Sequence, residues 1–186
     1  MNVFNTKILG TGYYLPKKIL TNSDLEKIVE TNDEWIFERT GIRERRICNT
    51  EEGEFPTDMA YHATQEALKN SELKPDDIDL IIFATVTPDM KIPNSSTILQ
   101  TKLGIKNCPS FDIQAVCSGF IYALSVADKF IKTNSAKNIL VIGADSMSKI
   151  TDYNDRSNAI LWGDGAGAVV LSASNQQGIL STHIHS

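Results

Sequence analysis

Cys117 is the residue of this chain best placed for covalent chemistry. Ser110-Phe111-Asp112-Ile113-Gln114-Ala115-Val116 reads as a strand, and a helix is expected to begin at Cys117-Ser118-Gly119-Phe120. A cysteine at such a junction faces the free N–H groups of the helix, and these donors with the helix dipole favour a thiolate. They would also steady an oxyanion formed on a bound thioester carbonyl. Gly119 has no side chain, so an acyl group or another backbone can approach closely. Free cysteines are also common as buried structural hydrophobes, and position alone leaves both readings open. Cys48 and Cys108 lack this placement and read as structural.

A second group is basic. Arg39, Arg43, Arg45 and Arg46 cluster in a chain of net charge -5. On a helix Trp35 and Arg39 are i,i+4 neighbours, and an aromatic ring beside a guanidinium suits an adenine and a phosphate. A solvated charged face with a half-buried Trp is the alternative. Other motifs carry less. Gly10-Thr11-Gly12 lacks the third glycine of a dinucleotide fingerprint and is closely followed by Pro16, so a glycine-rich turn is expected. Gly163-Asp164-Gly165-Ala166-Gly167 has no Lys-Ser/Thr tail and leads into a strand, so a tight turn is expected rather than a phosphate cradle. His183 and His185 would share one face of a strand, but no third ligand is evident for a metal. Three cysteines are too few for a disulfide framework.

The elements that must position these residues follow from apolar periodicity. Leu80–Val86, Ile139–Ala144 and Ala166–Leu171 are unbroken apolar runs of the kind found in strands covered on both faces. Between them lie amphipathic helical patterns, Thr57–Ser71 on Met59, Ala63, Ala67 and Leu68, and Cys117–Asn134 on Phe120, Leu124, Ala127 and Ile131. The second is apolar almost all round in its first two turns, which predicts a buried, central helix. Ser23-x-x-Glu26 and Thr31-x-x-Glu34 read as capping boxes for helices over 23–30 and 32–40, with Gly41 ending the latter. The whole reads as one α/β layer with a mainly parallel sheet. At 41% hydrophobic and 22% charged, the composition is that of a folded globular chain. Its acidity argues against nucleic acid as a partner. No run approaches the ~18 apolar residues of a membrane span, and the N-terminus lacks the build of a signal peptide, so a cytoplasmic protein is expected.

Four segments together resemble β-ketoacyl-acyl-carrier-protein synthase III, specifically its N-terminal half. They are Gly10–Pro16, Asn32–Ile36 with Arg39–Arg45, Ala115–Phe120, and Gly163–Ala168, and their order and spacing run through the chain. The resemblance implies a thiolase-like fold, with residues 1–186 forming the first of two similar halves as a mainly parallel mixed sheet with helices on both faces. It implies that Cys117 is a nucleophile that takes an acyl group from acyl-CoA, after which malonyl-acyl carrier protein loses CO2 and attacks the acyl-enzyme. No cofactor is implied, acyl-CoA being a substrate. Thr31, Trp35, Arg39 and Arg156 match the CoA site. Ile92, Met147, Leu161 and Trp162 match the acyl pocket, with Ile92 reaching across a homodimer interface. A docking patch for the carrier protein would need local basic residues, either Arg43, Arg45 and Arg46 or residues of the C-terminal half.

The sequence departs from the family at several places. Gln114 and Val116 replace small residues, Ser157 stands where glycine is common, and Trp162 replaces a commoner Phe. A bulkier Trp162 is expected to favour acetyl over longer or branched primers. The family's catalytic His and Asn lie in the C-terminal half, and none of His62, His183 and His185 corresponds to that His. The chain by itself is therefore expected not to complete the condensation, and to expose an apolar face. Another thiolase-superfamily condensing enzyme, of the hydroxymethylglutaryl-CoA synthase kind, and a non-catalytic acyl-CoA-binding half-protein are the alternatives.

Overall fold

The computed structural model describes residues 5–184. The chain starts with β1 (Asn5–Tyr14). An excursion follows, made of β2 (Lys18–Thr21), α1 (Asn22–Leu25), α2 (Asp33–Thr40) and β3 (Glu44–Ile47), in which β2 and β3 form a separate antiparallel pair. Then come α3 (Pro56–Ser71), β4 (Leu80–Ala84), α4 (Ser95–Leu103), β5 (Ser110–Ile113), α5 (Gly119–Lys132), β6 (Asn138–Ser146), α6 (Arg156–Ala159) and β7 (Asp164–Ser174). Five strands make one sheet in the order β1-β7-β6-β4-β5. Strands β5, β4 and β6 are parallel, joined by the crossover helices α4 and α5. Strand β7 returns antiparallel to β6, and β1 pairs antiparallel with β7 at the far edge.

Helices cover both faces because successive strand side chains point to opposite sides. From β4, Ile81 and Phe83 enter a core with Met59, Ala63 and Ala67 of α3 and Leu99 of α4. Leu80, Ile82 and Ala84 enter a second core with Ala123, Ala127 and Ile131 of α5. All five residues of β4 are buried, which is why it reads as a continuous apolar run. Strand β7 alternates in burial over its first half, as an antiparallel strand near the sheet edge does.

Four local expectations are corrected. Gly10 and Gly12 lie inside β1, not in a turn. A Cβ on Gly10 would sit 2.3 Å from the Ala67 carbonyl oxygen, and one on Gly12 would sit 2.2 Å from that of Ala63, so the missing side chains let α3 lie directly on the strand. The Gly163–Gly167 segment is likewise mostly strand, since β7 begins at Asp164. The capping boxes shift. Thr21 caps α1 with Asp24, while Glu26 instead accepts from the Asp33 backbone N–H. Asn32, not Thr31, caps α2 by accepting from the Trp35 N–H, and Gly41 ends that helix at φ +70° as expected. Finally, the start of α5 is not buried all round, since Ile121 is 50% exposed and Val116 just before the helix 70%. Its inner side packs on the second core, but among the described residues nothing covers the outer side.

Candidate active site

Cys117 lies in a single 3₁₀ turn, Val116–Ser118, between β5 and α5. The chain reverses sharply there. Val116 sits at φ +49°, a left-handed conformation costly for a β-branched residue. The turn closes through Ser118 N–H to the Ala115 carbonyl at 3.1 Å and Gly119 N–H to the Val116 carbonyl. Gly119 is buried, and a Cβ there would lie 3.4 Å from that of Ala84, so the helix begins against the end of β4. The Cys117 side chain is exposed, which sets aside the buried structural reading. Cys48 and Cys108 are buried. Cys48 Sγ lies 3.2 Å from Ser146 Oγ and 3.4 Å from Met59 Sδ, and burial pushes its thiol up to about 12. Burial pushes Cys108 up to about 11.

The structure brings the Trp35 group together. The guanidinium carbons of Arg39 and Arg156 lie 4.2 and 4.5 Å from the Trp35 ring centroid, one from the same helix and one from α6. Arg156 also points toward the Glu30 carbonyl, and the neighbouring Thr31 Oγ1 is buried without a hydrogen-bond partner among the described residues. An unpaired hydroxyl beside a stacked cationic ring is an arrangement that a ligand with a planar base and anionic groups would satisfy.

Of the other arginines, Arg45 is withdrawn from the surface and cannot belong to a docking patch, whereas the Arg43 and Arg46 side chains stay 60% and 36% exposed. Arg45 is 4% exposed, and its guanidinium donates to the carbonyls of Leu20 (3.3 Å) and Ile160 (2.7 Å) and to Asn22 Oδ1 (3.0 Å). It ties the excursion to the end of α6, and burial pulls its pKa below the usual value. Arg43 lies over Phe37 and pairs with Asp33 at 2.9 Å, and Arg46 donates to the Pro16 carbonyl at 3.2 Å.

Of the four expected pocket residues, Met147 and Trp162 line one cavity of about 230 Å³ with Ile150, Thr151 and Asn158. The Trp162 indole N–H donates to Asn158 Oδ1 at 2.7 Å, which fixes the ring plane. Leu161 is 41% exposed and does not line that cavity. Ile92 projects from the β4–α4 connection, 87% exposed and away from it. Tyr14 at the end of β1 stacks on His62, and His183 shares a hydrogen bond with Ser181. His185 lies outside the described residues. Among the described residues no cluster of three or more His, Cys, Asp or Glu could hold a metal, and no helix is long and apolar enough to cross a membrane.

Three carboxylates that organise this region were not singled out by sequence. Asp112 of β5 accepts from the N–H groups of Ser95 and Ser96 at the start of α4, each at 2.8 Å. Asp164 of β7 accepts from Cys48 N–H, Ser148 N–H and Ser148 Oγ–H at 2.6–2.9 Å. Asp145 of β6 holds the β4–α4 connection. The available signal is a charged residue within or ending an apolar run, where an ionised group must find several donors.

Known proteins resemble this chain along most of its length. The family model for 3-oxoacyl-[acyl-carrier-protein] synthase III matches residues 111–186. A β-ketoacyl-[acyl-carrier-protein] synthase III from Thiobacillus denitrificans is 61% identical over 97% of this chain and 56% of its own length. The solved 3-oxoacyl-[acyl-carrier-protein] synthase III of Aquifex aeolicus superposes with a TM-score of 0.89 at 55% identity, over 92% of this chain and 55% of that one. The priming β-ketosynthase of the R1128 polyketide pathway does so with 0.90 at 34%, over 95% and 52%. The chain thus spans about half the length of the relatives it matches. A matching sheet and identity of this order make the chain similar to about half of a β-ketoacyl-[acyl-carrier-protein] synthase III.

Proposed function

We propose that residues 1–186 are the N-terminal thiolase-like half of a condensing enzyme that starts fatty-acid synthesis, and that Cys117 is its nucleophile. The observation that carries this is the exposed thiol at the β5–α5 turn in a chain whose relatives are named β-ketoacyl-[acyl-carrier-protein] synthase III. The Cys117 thiolate attacks the carbonyl of an acyl-CoA. The new S–C bond forms as the CoA thiolate leaves and takes a proton. Malonyl-acyl carrier protein then loses CO2, and the resulting carbanion attacks the acyl-enzyme carbonyl. A C–C bond forms, the C–S bond breaks, and the cysteine is regenerated. Partial charges at the start of α5 favour the developing oxyanion. Thr31, Trp35, Arg39 and Arg156 hold the adenine and phosphate end of CoA. Met147 and Trp162 shape the acyl pocket, and the pinned Trp162 ring favours acetyl. The protein works in the cytoplasm as a homodimer. Strand β5 supports the dimer, for it lies at the sheet edge with one side unpaired among the described residues, and Ile92 is exposed.

The test uses mass spectrometry and CO2 release. The protein carrying this chain together with the portion its relatives add should gain one acetyl group at Cys117 from acetyl-CoA, and should release CO2 from malonyl-acyl carrier protein. Cys117→Ala should do neither. Residues 1–186 alone should release no CO2. A wild-type protein that binds acetyl-CoA without a covalent adduct would show a binding module instead.

A further inference from the structure

The connection between β4 and α4 has no regular secondary structure, yet it is fastened along its length. Asp145 Oδ1 accepts four hydrogen bonds from its first residues: Thr85 Oγ1–H at 2.9 Å, Val86 N–H at 2.8 Å, Thr87 N–H at 3.1 Å and Thr87 Oγ1–H at 2.8 Å. Thr87 Oγ1 in turn accepts from Ser146 N–H at 2.8 Å. Thr85 and Thr87 are 7% and 5% exposed, so these bonds are largely shielded from water. Farther along, Asp89 accepts from the N–H and hydroxyl of Thr57 at the start of α3. Asp112 anchors the far end at Ser95 and Ser96. Between these fixed points the segment puts apolar side chains into solvent, Met90 at 51% and Ile92 at 87% exposure.

A loop that served only to link two elements would have no need to be anchored while presenting an isoleucine outward. Charge-assisted bonds from two backbone N–H groups and two hydroxyls to one carboxylate oxygen fix both the path and the pitch of the segment. Asp145 also stands two residues before Met147, which lines the cavity with Trp162. The same carboxylate therefore fixes the base of the projecting tip from a strand end close in sequence to the chain's own cavity.

We propose that Asp145 and Thr87 are positioning residues for acyl-group selectivity, acting through Ile92, whose side chain they hold in one pose for the acyl pocket of a second copy of the chain. This rests on the acyl-transfer reading above. A pocket wall discriminates by roughly 10–200-fold per methylene when it is held in place, and a wall free to shift by an ångström loses much of that.

The experiment is the ratio of kcat/KM for acetyl-CoA to that for a branched five-carbon acyl-CoA, measured on the protein carrying the portion its relatives add. Thr87→Val removes the hydroxyl and keeps the shape, and should cut the acetyl preference about tenfold. Thr87→Ser keeps the hydroxyl and should retain the preference. Asp145→Asn should act in the same direction as Thr87→Val. In an Ile92→Ala background, Thr87→Val should leave the ratio unchanged, because the residue it acts through is gone. A ratio unmoved by Thr87→Val, a ratio moved equally by Thr87→Ser, or an effect that persists without Ile92 would overturn the proposal. So would an equal loss on both substrates, the mark of a purely structural role. If Asp145→Asn fails to fold, the Thr87 pair decides. A wild-type protein that acylates nothing at Cys117 removes the acyl-transfer reading itself; one that acylates with unmoved ratios removes only this assignment.

Discussion

The two faces of the central sheet are finished to different degrees. On one, α3 lies so close to β1 that glycine is required at positions 10 and 12, and Met59, Ala60, Ala63 and Ala67 are fully buried. On the other, α5 fills the core with its inner side only, and its first turn leaves Ile121 half exposed beside the exposed Cys117. Rigidity is concentrated on the first face and access on the second. The exposed thiol sits where the open helix meets the strands of the closed face.

The contrast can be broken most severely at the glycines. Gly12→Ala places a methyl 2.2 Å from the Ala63 carbonyl oxygen and 2.5 Å from the Ala67 nitrogen, so helix and strand must part. A loss of ~3 kcal/mol or more, or failure to fold, is expected in urea titration. Gly119→Ala meets only the Ala84 methyl at 3.4 Å and has helical φ, so its stability should stay within about 1 kcal/mol of wild type. Equal losses at the two sites would erase the distinction between the faces.

Thiol chemistry sharpens the same contrast at intermediate scale. Limited treatment with iodoacetamide at pH 8, followed by peptide mass mapping, should modify Cys117 at least about tenfold faster than Cys48 or Cys108, because the buried thiols are held far from ionisation and out of reach. Early labelling of Cys48 would mean that the closed face opens.

The smallest effect concerns how α5 is tied down. Asp128 is fully buried, and it accepts from Thr6 Oγ1 of β1 at 2.7 Å and pairs with Lys129 at 2.9 Å and Lys132 at 3.0 Å. Burial opposes its charge, but the hydrogen bonds from Lys129, Thr6 and Lys132 outweigh that and hold the carboxyl below its ordinary range. Its contribution to stability is therefore complete above the unfolded value near 3.9, and is lost as pH falls through the lower folded value. Melting temperatures across pH 2–6 should drop along that limb in the wild type, and Asp128→Asn should flatten it. An unchanged acid limb would show that Asp128 contributes no such linkage.

What the sequence made legible follows from locality. Apolar runs such as Leu80–Ala84, breakers such as Gly41, and a cysteine between a strand pattern and a helix pattern are properties of neighbouring residues. The element order and the place of Cys117 could be read from them. Trp35 and Arg39, four apart on one helix, were legible for the same reason. Roles created by distant partners were not. Arg45 looks like one member of a surface cluster, yet it is buried because its guanidinium meets a carbonyl 115 residues away. Gly10 and Gly12 look like a turn until α3 is laid on them. Asp145 gains its role from donors about 60 residues upstream, which no spacing rule connects. The exposure of Ile121 was also illegible, since an apolar helix face looks the same in sequence whether its cover lies in the same chain or not.

The stacking at Trp35 also gives the molecule an optical property. The sequence has two tryptophans, and one of them lies against two guanidinium groups. A planar base entering between the indole and Arg156 would have to part them, exchanging a cation for a neutral ring at the chromophore. Arrival of a nucleotide would then register as a change in intrinsic emission, with Trp162→Phe isolating the signal, so occupancy of this end of the site could be followed without a label.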